Sequence, residues 1–173
     1  MDVSVRYALP LRYLHWIMAI LIIGLLCVGF YMEGLPRGEQ KFFLMGWHKS
    51  FGFLVLLLIG LRIIVRLLTP VPPREQNRLG QIAFIVHFIL YLMMVLMPFS
   101  GMLMSWAGGY GISFFSLFSI PGASEKMSEL GNFSHEVHEV LGYIFAGLII
   151  FHGAGFLYQQ FIRKDNVLNR IRP

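Results

Sequence analysis

No charged residue stands between Arg12 and Glu33. A helix needs about 20 apolar residues to cross the hydrocarbon core of a bilayer. No water is present there to satisfy backbone N–H and C=O groups, so such a segment has to close its own hydrogen bonds as a helix. Three more apolar runs follow, and the four expected spans cover residues 10–32, 45–69, 79–106 and 134–162. In a chain of 173 residues they leave only short connections. The expected fold class is therefore an all-α integral membrane protein, a four-transmembrane-helix bundle forming one domain over residues 1–173. Composition points the same way. Hydrophobic residues make up 57% of the chain and charged residues 13%, with a mean hydropathy of +0.68, whereas soluble domains carry about 25% charge.

The spans differ in quality. The second has Lys49 near one end and Arg62 and Arg66 near the other, side chains whose stems can lie along the helix while their charges reach the interface. Pro98 lies within the third span and predicts a kink, because proline lacks the amide donor and clashes with the preceding turn. Ser134 is the expected N-cap of the fourth, with Glu136 and Glu139 placed to meet the positive end of the helix dipole. Trp16, Trp47 and Trp106 fall at span ends, where indole rings favour the interface. Cys27 is the single cysteine, so neither a disulfide framework nor a thiolate cluster can form.

Charge sets the expected orientation. Arg6, Arg12, Arg62, Arg66, Arg74, Arg78, Arg163, Lys164, Arg170 and Arg172 fall on the side holding both termini and the middle connection, while Arg37, Lys41, Lys49 and Lys126 fall on the other. By the positive-inside rule both termini are expected to be cytoplasmic. A signal peptide is the competing reading of the first span, but no small-residue cleavage site follows it, so a retained helix is expected. The lipid bilayer is the first partner implied, and no nucleic-acid partner is expected.

His138 and His152 stand fourteen residues apart on the last apolar run. That is close to four helical turns, so both imidazoles project from nearly one face, about 21 Å apart along the axis. With four antiparallel spans, His15 on the first lies at the depth of His152, and His48 on the second lies at the depth of His138. Ionisable side chains within a membrane are costly and usually face the bundle interior. Two facing histidines are a natural axial ligand set for haem iron, whereas zinc more often takes three or four protein ligands. Two haems in the core follow, one held by His48 and His138 toward the outer face, one by His15 and His152 toward the inner. Ala19, Gly52 and Gly142 lie one turn beyond His15, His48 and His138, and Gly155 three residues beyond His152. A flat macrocycle needs such missing side chains, although membrane bundles also use small residues for ordinary packing. Without a Cys-x-x-Cys-His sequence, covalent c-type attachment is excluded.

The segments RYLHW (12–16), WHKSFG (47–52), HFILYLMMVLMPFSGMLMS (87–105) and HEVHEVLGY (135–143), with the terminal RKDNVLNRIRP, resemble the bacterial cytochrome b561 family along almost the whole chain. The resemblance implies a membrane cytochrome of the bacterial inner membrane with two b haems, ligated by the same two histidine pairs, and electron exchange with quinone. One member type oxidises superoxide on the outer side and passes the electron to ubiquinone, which makes superoxide:ubiquinone oxidoreductase the leading expected activity. Two one-electron events and two protons reduce one quinone in that scheme, and the chemistry belongs to the cofactors.

Other residues have candidate roles. His87, on the third span, is a candidate for bonding a quinone carbonyl, relaying protons, replacing His15 as ligand, or making a structural hydrogen bond. His135 reads as an interfacial residue or proton donor. Arg37, Lys41 and Lys49 cluster at the outer mouth of the first two spans and suit anion steering. Arg12, Lys49, Arg62 and Arg66 suit haem propionates or lipid phosphates. Two other functions fit the same residues. One is an anchor subunit collecting electrons from a dehydrogenase or hydrogenase partner docked on residues 107–133. The other is a non-redox proton or metal-ion channel lined by the histidines.

Overall fold

The computed structural model describes residues 6–73 and 75–173; Arg74, counted above among the basic residues of the terminal side, lies outside them. Four long helices, α1 (Leu9–Glu33), α2 (Glu39–Leu68), α3 (Arg78–Ala107) and α4 (Ser128–Leu157), form an up-and-down bundle. The last continues through a π-helical turn, Tyr158–Ile162, and a short α5 (Leu168–Ile171) closes the chain. All four long helices have the length and composition to cross a membrane. Their outer faces are apolar: Ile20, Leu57, Phe88 and Ile150 are all exposed. In water that surface would be a liability, and in lipid it is the expected covering.

Helix α4 packs most extensively on α3 and α1 on α2. The buried core, Met18, Ile22, Val55, Ile59, Leu90, Met93 and Phe145, draws on every helix. It lies at mid-depth, and Phe145 stands midway between His138 and His152. Arg62 ties three helices together: its Nη1 donates to the Leu11 carbonyl at 3.0 Å and its Nε to the Tyr91 hydroxyl at 3.0 Å.

Two helices begin six residues earlier than their apolar runs. Helix α2 starts at Glu39, which places a carboxylate in the first turn, at the positive end of the dipole. Helix α4 starts at Ser128 with Glu129 in its first turn and Met127 at the cap. Ser134 is thus not the N-cap but a buried residue inside the helix, and Glu136 and Glu139 lie beyond the first turn. The added turns of α4 are tied to α3: Gly131 lies against Ala107 and Gly108 at the end of that helix, and the Met127 amide donates to the Ala107 carbonyl at 2.9 Å. Helix α3 is continuous through Pro98.

The connection from α3 to α4 folds into a hairpin of β1 (Ile112–Phe114) and β2 (Phe118–Ile120). Ser50 pins it to α2, donating from Oγ to the Ser113 carbonyl at 2.8 Å and accepting from the Phe115 amide at 3.1 Å. Phe115 has a left-handed backbone, φ 50°, a conformation that costs a non-glycine residue about 1–3 kcal/mol. Its ring packs edge-on against Trp47 and Phe51, which offsets the strain. At the opposite end the termini meet: Tyr7 donates its amide to the Arg170 carbonyl, and Trp16 its indole N–H to the Ile171 carbonyl.

Candidate functional site

Each end of the bundle holds a facing pair of imidazoles. His48 of α2 and His138 of α4 have ring centroids 6.3 Å apart at an interplanar angle of 81°. His15 of α1 and His152 of α4, at the end where the termini meet, are 6.4 Å apart at 68°. A ligand nitrogen stands about 2 Å from its metal and the ring centroid roughly 1 Å further back, so imidazoles on opposite sides of one metal have centroids about 6 Å apart. Both pairs match that span. His87 of α3 lies 5.1 Å from His152, closer than that arrangement allows, and it is exposed whereas His15, His48, His138 and His152 are half-buried.

A cavity of about 270 Å³ lies between His48 and His138, its wall mostly apolar and including Ile22, Phe145, Gly29, Gly52, Gly101 and Gly142. Two of these glycines seat the imidazoles themselves. A Cβ on Gly101 would lie 2.8 Å from His138 Cε1, and one on Gly29 would lie 3.4 Å from His48 Cε1. A Cβ on Gly52 would meet nothing, because Gly52 faces open cavity. Sequence spacing points to Gly52 and Gly142, one turn from a histidine on the same helix. It misses Gly29 and Gly101, which act across helices and leave no periodic trace.

His138 Nδ1 donates to the Met97 carbonyl at 3.0 Å and lies 3.0 Å from Ser100 Oγ. A carbonyl only accepts, so the proton sits on Nδ1 and Nε2 keeps its lone pair. His48 Nδ1 is buried with no hydrogen-bond partner among the described residues. An apolar cavity with two opposed imidazoles, one of them orphaned, and glycines where side chains would intrude fits a flat metal macrocycle gripped from both sides.

The charged candidates separate into two groups. At the end away from the termini, Lys41, Lys49, Glu33, His135 and Glu139 rim the cavity. Lys41 Nζ donates to the Leu35 carbonyl at 2.9 Å, Lys49 Nζ lies over the Tyr110 ring, and His135 is 4.0 Å from Glu139. Arg37 is exposed and does not line the cavity. At the other end, Arg12 donates to the Arg172 carbonyl at 2.8 Å, and Arg66 lies over the Tyr91 ring alongside Arg62. Arg62 is therefore committed to helix–helix contacts, which sequence alone did not indicate.

A four-helix membrane bundle with paired histidines at two depths fits the class of membrane cytochromes. The chain belongs to the prokaryotic cytochrome b561 family, whose model matches residues 6–173. It is 29% identical to "Cytochrome b561 homolog 2" of Escherichia coli (strain K12), over 96% of this chain and 90% of that one. It is 27% identical to "Cytochrome b561 homolog 1" of the same organism, over 97% of both chains, and 26% identical to "Probable superoxide oxidase CybB" of Yersinia pestis, over 92% of both. The protein is thus a membrane electron-transfer protein of a family that binds b-type haem.

Proposed function

We propose that this protein carries two b haems, the outer held by His48 and His138 and the inner by His15 and His152, and passes electrons from superoxide to ubiquinone in the bacterial inner membrane with both termini cytoplasmic. The observation that carries the reading is the pair of centroid separations, 6.3 and 6.4 Å, at opposite ends of one bundle. When bound, the two haems supply one-electron transfer between the faces of the membrane.

The chain's own residues do the rest. Gly29, Gly52, Gly101 and Gly142 keep the outer space clear, and the apolar core between the two pairs excludes water from the interval. Lys41 and Lys49 at the rim are the groups that would draw a small anion such as superoxide to this end, against the opposing charges of Glu33 and Glu139 on the same rim. We assign to His87, which is exposed beside His152, the bond to a quinone carbonyl or the proton handed to it; its exposure supports the reading. The donor assignment is supported by the printed name of the Yersinia pestis relative. It is favoured over an anchor role because residues 112–120, central to the loop a docked partner needs, are folded down on α2.

Stopped-flow mixing of the oxidised, haem-loaded protein with superoxide tests this. Fast haem reduction, followed by reoxidation that depends on added ubiquinone, is expected. Slow reduction, indifferent to quinone, overturns the donor and acceptor assignments.

A further inference from the structure

The two imidazoles of the outer pair are held differently. His48 Nδ1 is buried with no hydrogen-bond partner among the described residues. His138 rests on one turn of α3, which offers it three things: the Met97 carbonyl as acceptor at 3.0 Å, the Ser100 hydroxyl at 3.0 Å, and the bare Cα of Gly101 beneath the ring. Ser100 is itself buried and oriented, because its Oγ–H donates to the same Met97 carbonyl at 2.8 Å. With its only proton committed there, Oγ can meet His138 Nδ1–H solely as an acceptor. The imidazole N–H is therefore shared between two oxygens in a closed triangle.

We propose that Ser100 is a positioning residue for the outer haem: it fixes the tautomer and plane of His138 and enriches that ligand electronically, so that the outer centre has one strongly donating imidazole and one ordinary one. The proposal rests on the haem assignment above. Hydrogen-bond acceptors behind a ligand histidine raise its basicity and orient its ring, and their loss typically weakens metal binding on the order of 10-fold to 100-fold. A more basic ligand favours the oxidised metal. Removing the Ser100 acceptor therefore raises the reduction potential of the outer haem and leaves the inner one, four helical turns away along α4, where it was.

A built-in control exists. Ser134 is equally buried, sits one turn before His138 on α4, and its Oγ has no hydrogen-bond partner among the described residues. Substitution there changes a buried hydroxyl near the same imidazole without touching the triangle.

The experiment is a redox titration, with low-temperature EPR of the ferric state, on the purified haem-loaded wild type, Ser100→Ala, Ser100→Cys, Ser100→Thr and Ser134→Ala. Expected for Ser100→Ala is an upward shift of one of two potentials, a change in one of two low-spin signals, and at least a 10-fold faster loss of one haem. Ser100→Cys, which keeps the shape but accepts weakly, should shift the same potential in the same direction even if the alanine protein loads poorly. Ser100→Thr should restore the wild-type values, and Ser134→Ala should match wild type. Two haems with unmoved potentials and signals in both Ser100→Ala and Ser100→Cys overturn the proposal while sparing the ligand assignment. A wild type without haem would instead overturn the ligand assignment itself.

Discussion

Adding a single methyl group at Gly101 should remove one cofactor and leave the other. The Cβ of Gly101→Ala would stand 2.8 Å from His138 Cε1 and 3.1 Å from Nδ1, while ordinary carbon contacts begin at about 3.5 Å. The imidazole must then withdraw by roughly 0.7 Å, several times the tolerance of about 0.2 Å for a metal–ligand distance. Helix α3 cannot yield cheaply, because overpacking a core costs about 1–3 kcal/mol. The ring cannot slide along it either without breaking the bond to the Met97 carbonyl. The inner pair has no contact with Gly101. Purified Gly101→Ala should therefore carry half the haem of wild type by pyridine haemochrome assay, with normal helix content by circular dichroism. Gly24→Ala, where a Cβ meets nothing within 4 Å, should carry the full amount. A Gly101→Ala protein with the full complement and an unchanged spectrum would show that the geometry of the His138 seat has been misread.

Three other outcomes follow from particular contacts. His87→Ala should retain all its haem, because a ring 5.1 Å from His152 is too near to be its opposite ligand; loss of one haem would make His87, not His15, the inner partner. Arg62→Ala loses bonds to the Leu11 carbonyl and the Tyr91 hydroxyl, and should lower stability in detergent by about 1.5–3 kcal/mol, read as a lower melting temperature that Arg62→Lys, lacking the fork, does not recover. Ser50→Ala frees the hairpin from α2 and leaves the Ser113 carbonyl and Phe115 amide unpaired, at about 1–3 kcal/mol for the lost partner. Limited proteolysis should then cut between residues 110 and 123, and resistance equal to wild type would show that the aromatic cluster alone holds the hairpin.

Hydrophobicity made the bundle legible, because lipid leaves an apolar run no option but a helix. It could not mark where α2 and α4 begin. Residues 39–44 and 128–133 mix charges with aromatics and glycine; the added turns of α4 are tied to the end of α3, where the Met127 amide donates to the Ala107 carbonyl, a tertiary contact. Ser134 has the chemistry of a cap and the position of a core residue; its neighbours, not its type, decide. The histidine pairs were legible for a different reason: the fourteen-residue spacing on α4 and the alternation of helix direction leave one facing partner at each depth among the first two helices. Gly29, Gly101 and Ser100 were not legible. Each acts on a histidine of another helix, and a contact between helices depends on their rotation about their axes, which periodicity within one helix does not specify.

Haem stoichiometry of the purified wild-type chain, taken with its reduced-minus-oxidised spectrum, probes the paired imidazoles most directly. Two low-spin b haems per chain are expected, falling to one in His48→Ala or His138→Ala and, independently, to one in His15→Ala or His152→Ala. A single haem that survives either outer substitution, or a high-spin spectrum, would contradict the assignment of one centre to each end of the bundle.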